Sequence, residues 1–115
     1  MTDSVFCRER FSEYLGGDLP LMLEIVSLAR EDLTNQMKQF EEALLCSDWT
    51  QVGRIAHAIK GVCLNICADD CQLAARDIEE VLEAKAIPEA QSLDALRAAF
   101  LDLMEALSAF WDEYN

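Results

Sequence analysis

The 115-residue chain holds a single histidine, His57, and its neighbours at helical spacing set it apart. Gly53 and Gly61 stand at i−4 and i+4, so the positions that would flank its ring on a helix surface carry no side chains. A glycine inside a helix costs roughly 1 kcal/mol relative to alanine, and about 2 kcal/mol for the pair asks for a reason. Access supplies one: the glycines clear the surface so that another molecule can bring a group up to the imidazole. Arg54 at i−3 and Lys60 at i+3 place a cation on either side. With an unperturbed pKa of about 6.5, imidazole is largely neutral near pH 7 and can act as a nucleophile. The plain alternative is a surface histidine between glycines that let two helices cross closely. Each feature alone fits that alternative, and their combination favours a reactive site.

Charge points the same way. The stretch from Trp49 to Ala68 contains two basic residues and no acidic one, while the whole chain has 22 Asp and Glu against 9 Lys and Arg, a formal net charge of −13. The stretch is therefore +2 and the remainder −15. A positive site on an acidic protein suits an anionic group that arrives or resides at His57. The global acidity repels phosphate backbones and anionic lipid headgroups, so neither nucleic acid nor membrane is an expected partner. No run of about 18 uncharged apolar residues occurs, and the start, MTDSVFCRERFSEYL, is polar and mixed in charge rather than signal-like. A cytoplasmic monomer is expected.

The other reactive residues are five cysteines: Cys7, Cys46, Cys63, Cys67 and Cys71. Their number is odd, no CxxC pair occurs, and 52% hydrophobic content lets the chain build its own core, so they read as reduced, mostly apolar residues. Cys63, Cys67 and Cys71 are spaced four apart and would share one face of a continuous helix, but no second ligand pair or local histidine completes a metal site.

The elements that position His57 follow from periodicity. Asp3 to Leu15 forms a short helix closed by Gly16 and Gly17. Asp18 caps the next helix, with Pro20 in its first turn, and Met22, Ile25, Val26, Ala29, Leu33, Met37, Phe40 and Leu44 form its buried stripe. Ser47 or Asp48 caps a third helix that buries Val52, Ile55, Ala56, Ile59, Val62 and Cys63, with a break around Asn65 to Ala68. Asp69 and Asp70 open a fourth helix that ends before Ile87-Pro88, and the last runs from about Ser92 to Trp111 on a seam of Leu93, Leu96, Phe100, Leu103, Leu107 and Phe110. The expected fold is all-α: an up-down four-helix bundle with a short additional N-terminal helix, one domain over residues 1–115.

The string Ala56-His57-Ala58-Ile59-Lys60-Gly61, followed by Asn65-Ile66-Cys67-Ala68, resembles the signature of histidine-containing phosphotransfer (HPt) domains, HxxKG followed by a small-residue turn. Gly16-Gly17-Asp18 before a long helix, Asp48-Trp49 at the next helix start, and Arg54 are also similar to that family, and the resemblance spans about Phe11 to Leu82. It implies a phosphorelay intermediate in which His57 accepts a phosphoryl group from an aspartyl phosphate of a receiver domain, usually in a hybrid sensor kinase, and passes it to the receiver of a response regulator. Lys60 would offset the phosphoryl charge and Gly61 would let the receiver approach closely, which matches the access argument. Mg²⁺ is expected in the partner receiver and no cofactor here. No GxxxxGKS loop suggests use of ATP, so the chain reads as a carrier rather than an autonomous enzyme.

Two departures stand out: Val62 replaces a small hydroxyl residue after the KG pair, and Cys67 replaces the glycine of the turn. A polar residue of the fourth helix, with Glu79 the candidate, would accept the Nδ1 proton and leave Nε2 to react. Docking is expected on an apolar ring from Leu64 and side chains of the first helix such as Phe11, alongside Gly53 and Arg54. Two other readings remain: a helical-bundle adaptor that regulates a receiver or kinase by binding, and a cysteine-based metal or redox module.

Overall fold

In the computed structural model, which describes residues 2–115, four long helices are arranged so that each packs against its neighbour in sequence and the last closes on the first. They are α3 (Leu19–Leu45), α4 (Trp49–Asn65), α5 (Asp69–Glu83) and α6 (Ala90–Tyr114), preceded by the short α1 (Thr2–Val5) and α2 (Arg8–Tyr14). This is the all-α up-down bundle the periodicity predicts. The 27 residues of α3, at about 1.5 Å per residue, account for the 42 Å long axis of the molecule.

The apolar stripes enter the core as expected. Met22, Val26, Ala29, Leu33, Met37 and Phe40 of α3 meet Val52, Ile55, Ala56, Ile59 and Cys63 of α4, Cys71, Ala75 and Ile78 of α5, and Leu96, Leu103, Leu107 and Phe110 of α6 in one buried cluster. Asp18 and Asp48 are the helix caps, accepting from the N–H groups of Leu21 at 3.1 Å and Gln51 at 3.3 Å. Between helices the chain reverses through one repeated device. At the end of α4 the Ala68 N–H donates to the Cys63 C=O and the Cys67 N–H to the Leu64 C=O, a Schellman closure that needs a left-handed residue at its pivot. Cys67 adopts φ 61° there, the left-handed conformation that a glycine takes at no steric cost. Ser47 and Lys85 do the same after α3 and α5, at φ 52° and 63°.

The amino terminus departs from the expected single helix. It breaks at Phe6 and Cys7, because both are buried and the Cys7 N–H donates to the Cys67 C=O at 3.0 Å, a tertiary bond no local pattern announces. Phe6 then packs between Phe11 and Phe110, with ring centroids 5.5 and 5.7 Å away. This corrects the docking role expected of Phe11. Its side chain is 0% exposed and belongs to the core, because α2 turns that face onto the bundle.

Candidate functional site

Helix α4 buries one stripe and presents its opposite side, and His57, at its middle residue, lies on the boundary facing α5. Its imidazole is 68% exposed, and Nδ1 lies 2.5 Å from Oε2 of Glu79 on α5. The other carboxylate oxygen, Oε1, accepts from Lys60 Nζ at 2.6 Å. Glu79 is only 14% exposed, so its carboxylate is nearly used up by these two partners. Burial pushes its carboxyl pKa up, but the hydrogen bonds and charges of Lys60 and His57 outweigh that, and the pKa lies below the usual 4.5. An ionised carboxylate only accepts, so Nδ1 carries a hydrogen toward Glu79, and in the neutral ring the lone pair is on Nε2.

The two glycines have different surroundings. A Cβ at Gly61 would meet nothing within 4 Å, so no packing demand inside the chain explains it. Helical side chains lean toward the helix N-terminus, so a side chain at 61 would lie back over His57. Its absence leaves the ring open from that direction. A Cβ at Gly53 would touch Leu82 Cδ1 at 3.4 Å, so Gly53 also serves the close approach of α4 and α5. It forms the floor of an open groove of about 570 Å³ beside His57, walled by Trp49 and Arg54 of α4, Glu79 and Leu82 of α5, and Lys85 and Ile87 of the α5–α6 connection.

The sequence-derived candidates thus divide. His57, Lys60 and Glu79 form one hydrogen-bonded unit, Gly53 and Arg54 line the adjoining groove, and Leu64 lies two turns further along α4 with 59% of its surface exposed. Phe11 is not among them. Lys60 is ion-paired and 22% exposed rather than free. Lys85 escaped the sequence reading, since only the path of the connection after α5 brings it beside His57; Arg54 and Lys85 form no ion pair among the described residues. The thiols of Cys63 and Cys71 contact each other in the core. No group of three or more His, Cys, Asp or Glu among the described residues is arranged to hold a metal ion.

The fold and site together are an all-α bundle with an exposed, carboxylate-anchored histidine at the centre of one helix. Comparison with family models agrees: the Hpt domain model matches residues 24–110, and the chain belongs to the Hpt domain family. No curated protein and no solved structure gives a significant match. As an Hpt domain the chain has a phosphotransfer role in two-component signalling. The family implies interaction with receiver domains and kinases, and no helix among the described residues is long and apolar enough to cross a membrane.

Proposed function

We propose that the chain is a phosphorelay intermediate that carries a phosphoryl group on Nε2 of His57 between the aspartates of two receiver domains. The observation that supports this most is the hydrogen bond between Nδ1 and Glu79, which occupies Nδ1 and favours the tautomer that leaves Nε2 free to react. In the forward step the Nε2 lone pair attacks the phosphorus of a receiver aspartyl phosphate. The N–P bond forms as the P–O bond to the receiver carboxylate breaks, and the electron pair leaves with that carboxylate. The ring becomes cationic while keeping its Nδ1 hydrogen, and the adjacent Glu79 carboxylate stabilises that charge. Transfer to the second receiver reverses these changes.

Positioning and charge compensation carry such a reaction. Lys60 holds the second oxygen of Glu79 and so acts on the ring through that carboxylate, while Arg54 and Lys85 are the cations with free charge toward an incoming phosphoryl group. Mg²⁺ and the acidic cluster that binds it belong to the receiver. The chain supplies no nucleotide chemistry, and a cytoplasmic monomer suits repeated exchange of partners.

The test is transfer of acid-labile label from phosphorylated receiver domains to the purified chain. Label is expected on wild type and not on His57→Gln. Labelling of His57→Gln at the wild-type rate, or no labelling of wild type by any receiver of the source organism, overturns the proposal. Undiminished signalling output from His57→Gln would favour the adaptor reading instead.

A further inference from the structure

Four of the five cysteines, Cys7, Cys63, Cys67 and Cys71, gather around the turn that joins α4 to α5. They form two unlike pairs. Cys63 and Cys71 contact each other in the core, and that contact together with burial pushes the Cys63 thiol far up, which makes it a poor nucleophile. Cys7 and Cys67 face a different environment. The Cys7 N–H donates to the Cys67 C=O at 3.0 Å. That bond makes residues 7 and 67 backbone neighbours, as a disulfide requires, since the Cα atoms it joins lie roughly 4.4–6.8 Å apart.

Reagents reach the pair from the Cys67 side. Cys67 is partly exposed, whereas Cys7 is buried and borders an open hollow of about 400 Å³ with Ser4, Arg10 and Asp69. The Arg10 guanidinium, anchored by Asp69 at 2.8 Å, hydrogen-bonds the Cys7 thiol and lies within electrostatic reach of Cys67. Burial raises the Cys67 thiol above its usual pKa while the Arg10 guanidinium opposes that rise, so the pair relies on proximity rather than on a preformed thiolate.

We propose that Cys7 and Cys67 are a redox pair that closes a reversible intramolecular disulfide on exposure to a hydroperoxide. The partly exposed Cys67 sulfur attacks one oxygen of hydrogen peroxide, the O–O bond breaks, and the departing hydroxide takes the thiol proton and leaves as water, giving a sulfenic acid. The Cys7 sulfur then attacks the Cys67 sulfur, the S–O bond breaks, and the hydroxide leaves with the Cys7 thiol proton as a second water. Two thiols are oxidised by two electrons and one peroxide is reduced by two. The new bond closes a covalent ring from residue 7 to residue 67 that contains α2, α3 and α4, and it locks the amino-terminal segment onto the end of the helix that carries His57. The inference rests on this geometry and is independent of the phosphotransfer proposal.

Peptide mapping of the folded full-length chain after hydrogen peroxide treatment and thiol capping tests it. A Cys7–Cys67 cross-link is expected, with a loss of about 2 Da that dithiothreitol reverses. The cross-link should survive in the double variant Cys63→Ala, Cys71→Ala and disappear in Cys7→Ser and in Cys67→Ser. Because the bond restricts the unfolded chain, the oxidised protein should melt about 10 °C or more above the reduced one. Recovery of Cys7 and Cys67 as capped thiols overturns the inference, as does a product linked only through Cys63 and Cys71 or only between chains through Cys46.

Discussion

Glu79 makes two bonds that serve two ends: one holds the ring of His57, the other ties down Lys60. Replacing it with glutamine removes a charge-assisted bond worth roughly 1.5–3 kcal/mol, so phosphotransfer by Glu79→Gln should fall about ten- to hundred-fold, read as initial rates of label transfer. Binding to the receiver should change much less. The same carboxylate affects stability with acid. Its folded pKa lies below the usual 4.5, so the unfolded chain takes up the proton first; the stabilisation is intact above pH 4.5 and is lost as pH falls through the folded value. Urea midpoints measured from pH 7 down to pH 3 should therefore drop in wild type and flatten in Glu79→Gln. Glu41, whose pKa its hydrogen bond to Arg97 lowers, should leave a residual slope. Gly61 offers the opposite trade. With open space around it, Gly61→Ala should stabilise the bundle by up to about 1 kcal/mol while slowing transfer, because the added methyl stands out from the surface over which the receiver must approach His57. Unchanged transfer with higher stability would mean that the receiver does not approach over that turn.

At the scale of elements, the reversals between helices matter most. Ser47 sits in the left-handed pivot after α3, exposed and free of other duties, and a non-glycine residue there costs roughly 1–2 kcal/mol in strain. Ser47→Gly should raise thermal stability by about 1 kcal/mol in a melt, the gain being smaller than the strain because glycine also loosens the unfolded chain. Such pivots also show what could be read in advance. The four long helices, their stripes and the aspartate caps were legible because each depends on residues within one or two turns. The His57, Lys60 and Glu79 unit was legible in part, since helix spacing aims His57 and Lys60 toward the next helix. Three features were not. The break at Cys7 depends on a bond to residue 67, the burial of Phe11 depends on how a seven-residue helix is rolled onto the bundle, and the arrival of Lys85 depends on the path of a connection. In each case the deciding partner is distant in sequence.

For the molecule as a whole, the net charge of −13 lies on an elongated body of 42 × 21 × 20 Å, and few of its 22 carboxylates are paired. Self-repulsion should then outweigh what its exposed ion pairs contribute, each worth at most about 1 kcal/mol. Raising ionic strength from about 0.01 to about 0.1 M shortens the screening length from about 30 to about 10 Å, and the melting temperature should rise by a few degrees. A fall would mean that pairs such as Arg97 with Glu41, at 2.7 Å, carry more of the stability than their exposure suggests.

The His57 unit is also confined to one antiparallel helix pair. Glu79 lies 22 residues beyond His57 and 19 beyond Lys60, and only the α4–α5 turn intervenes. Contacts this local form early and fast when a chain folds. The reactive hairpin should thus assemble ahead of the docking of α6, and new chain ends opened in the α3–α4 or α5–α6 connection by circular permutation would leave its geometry intact.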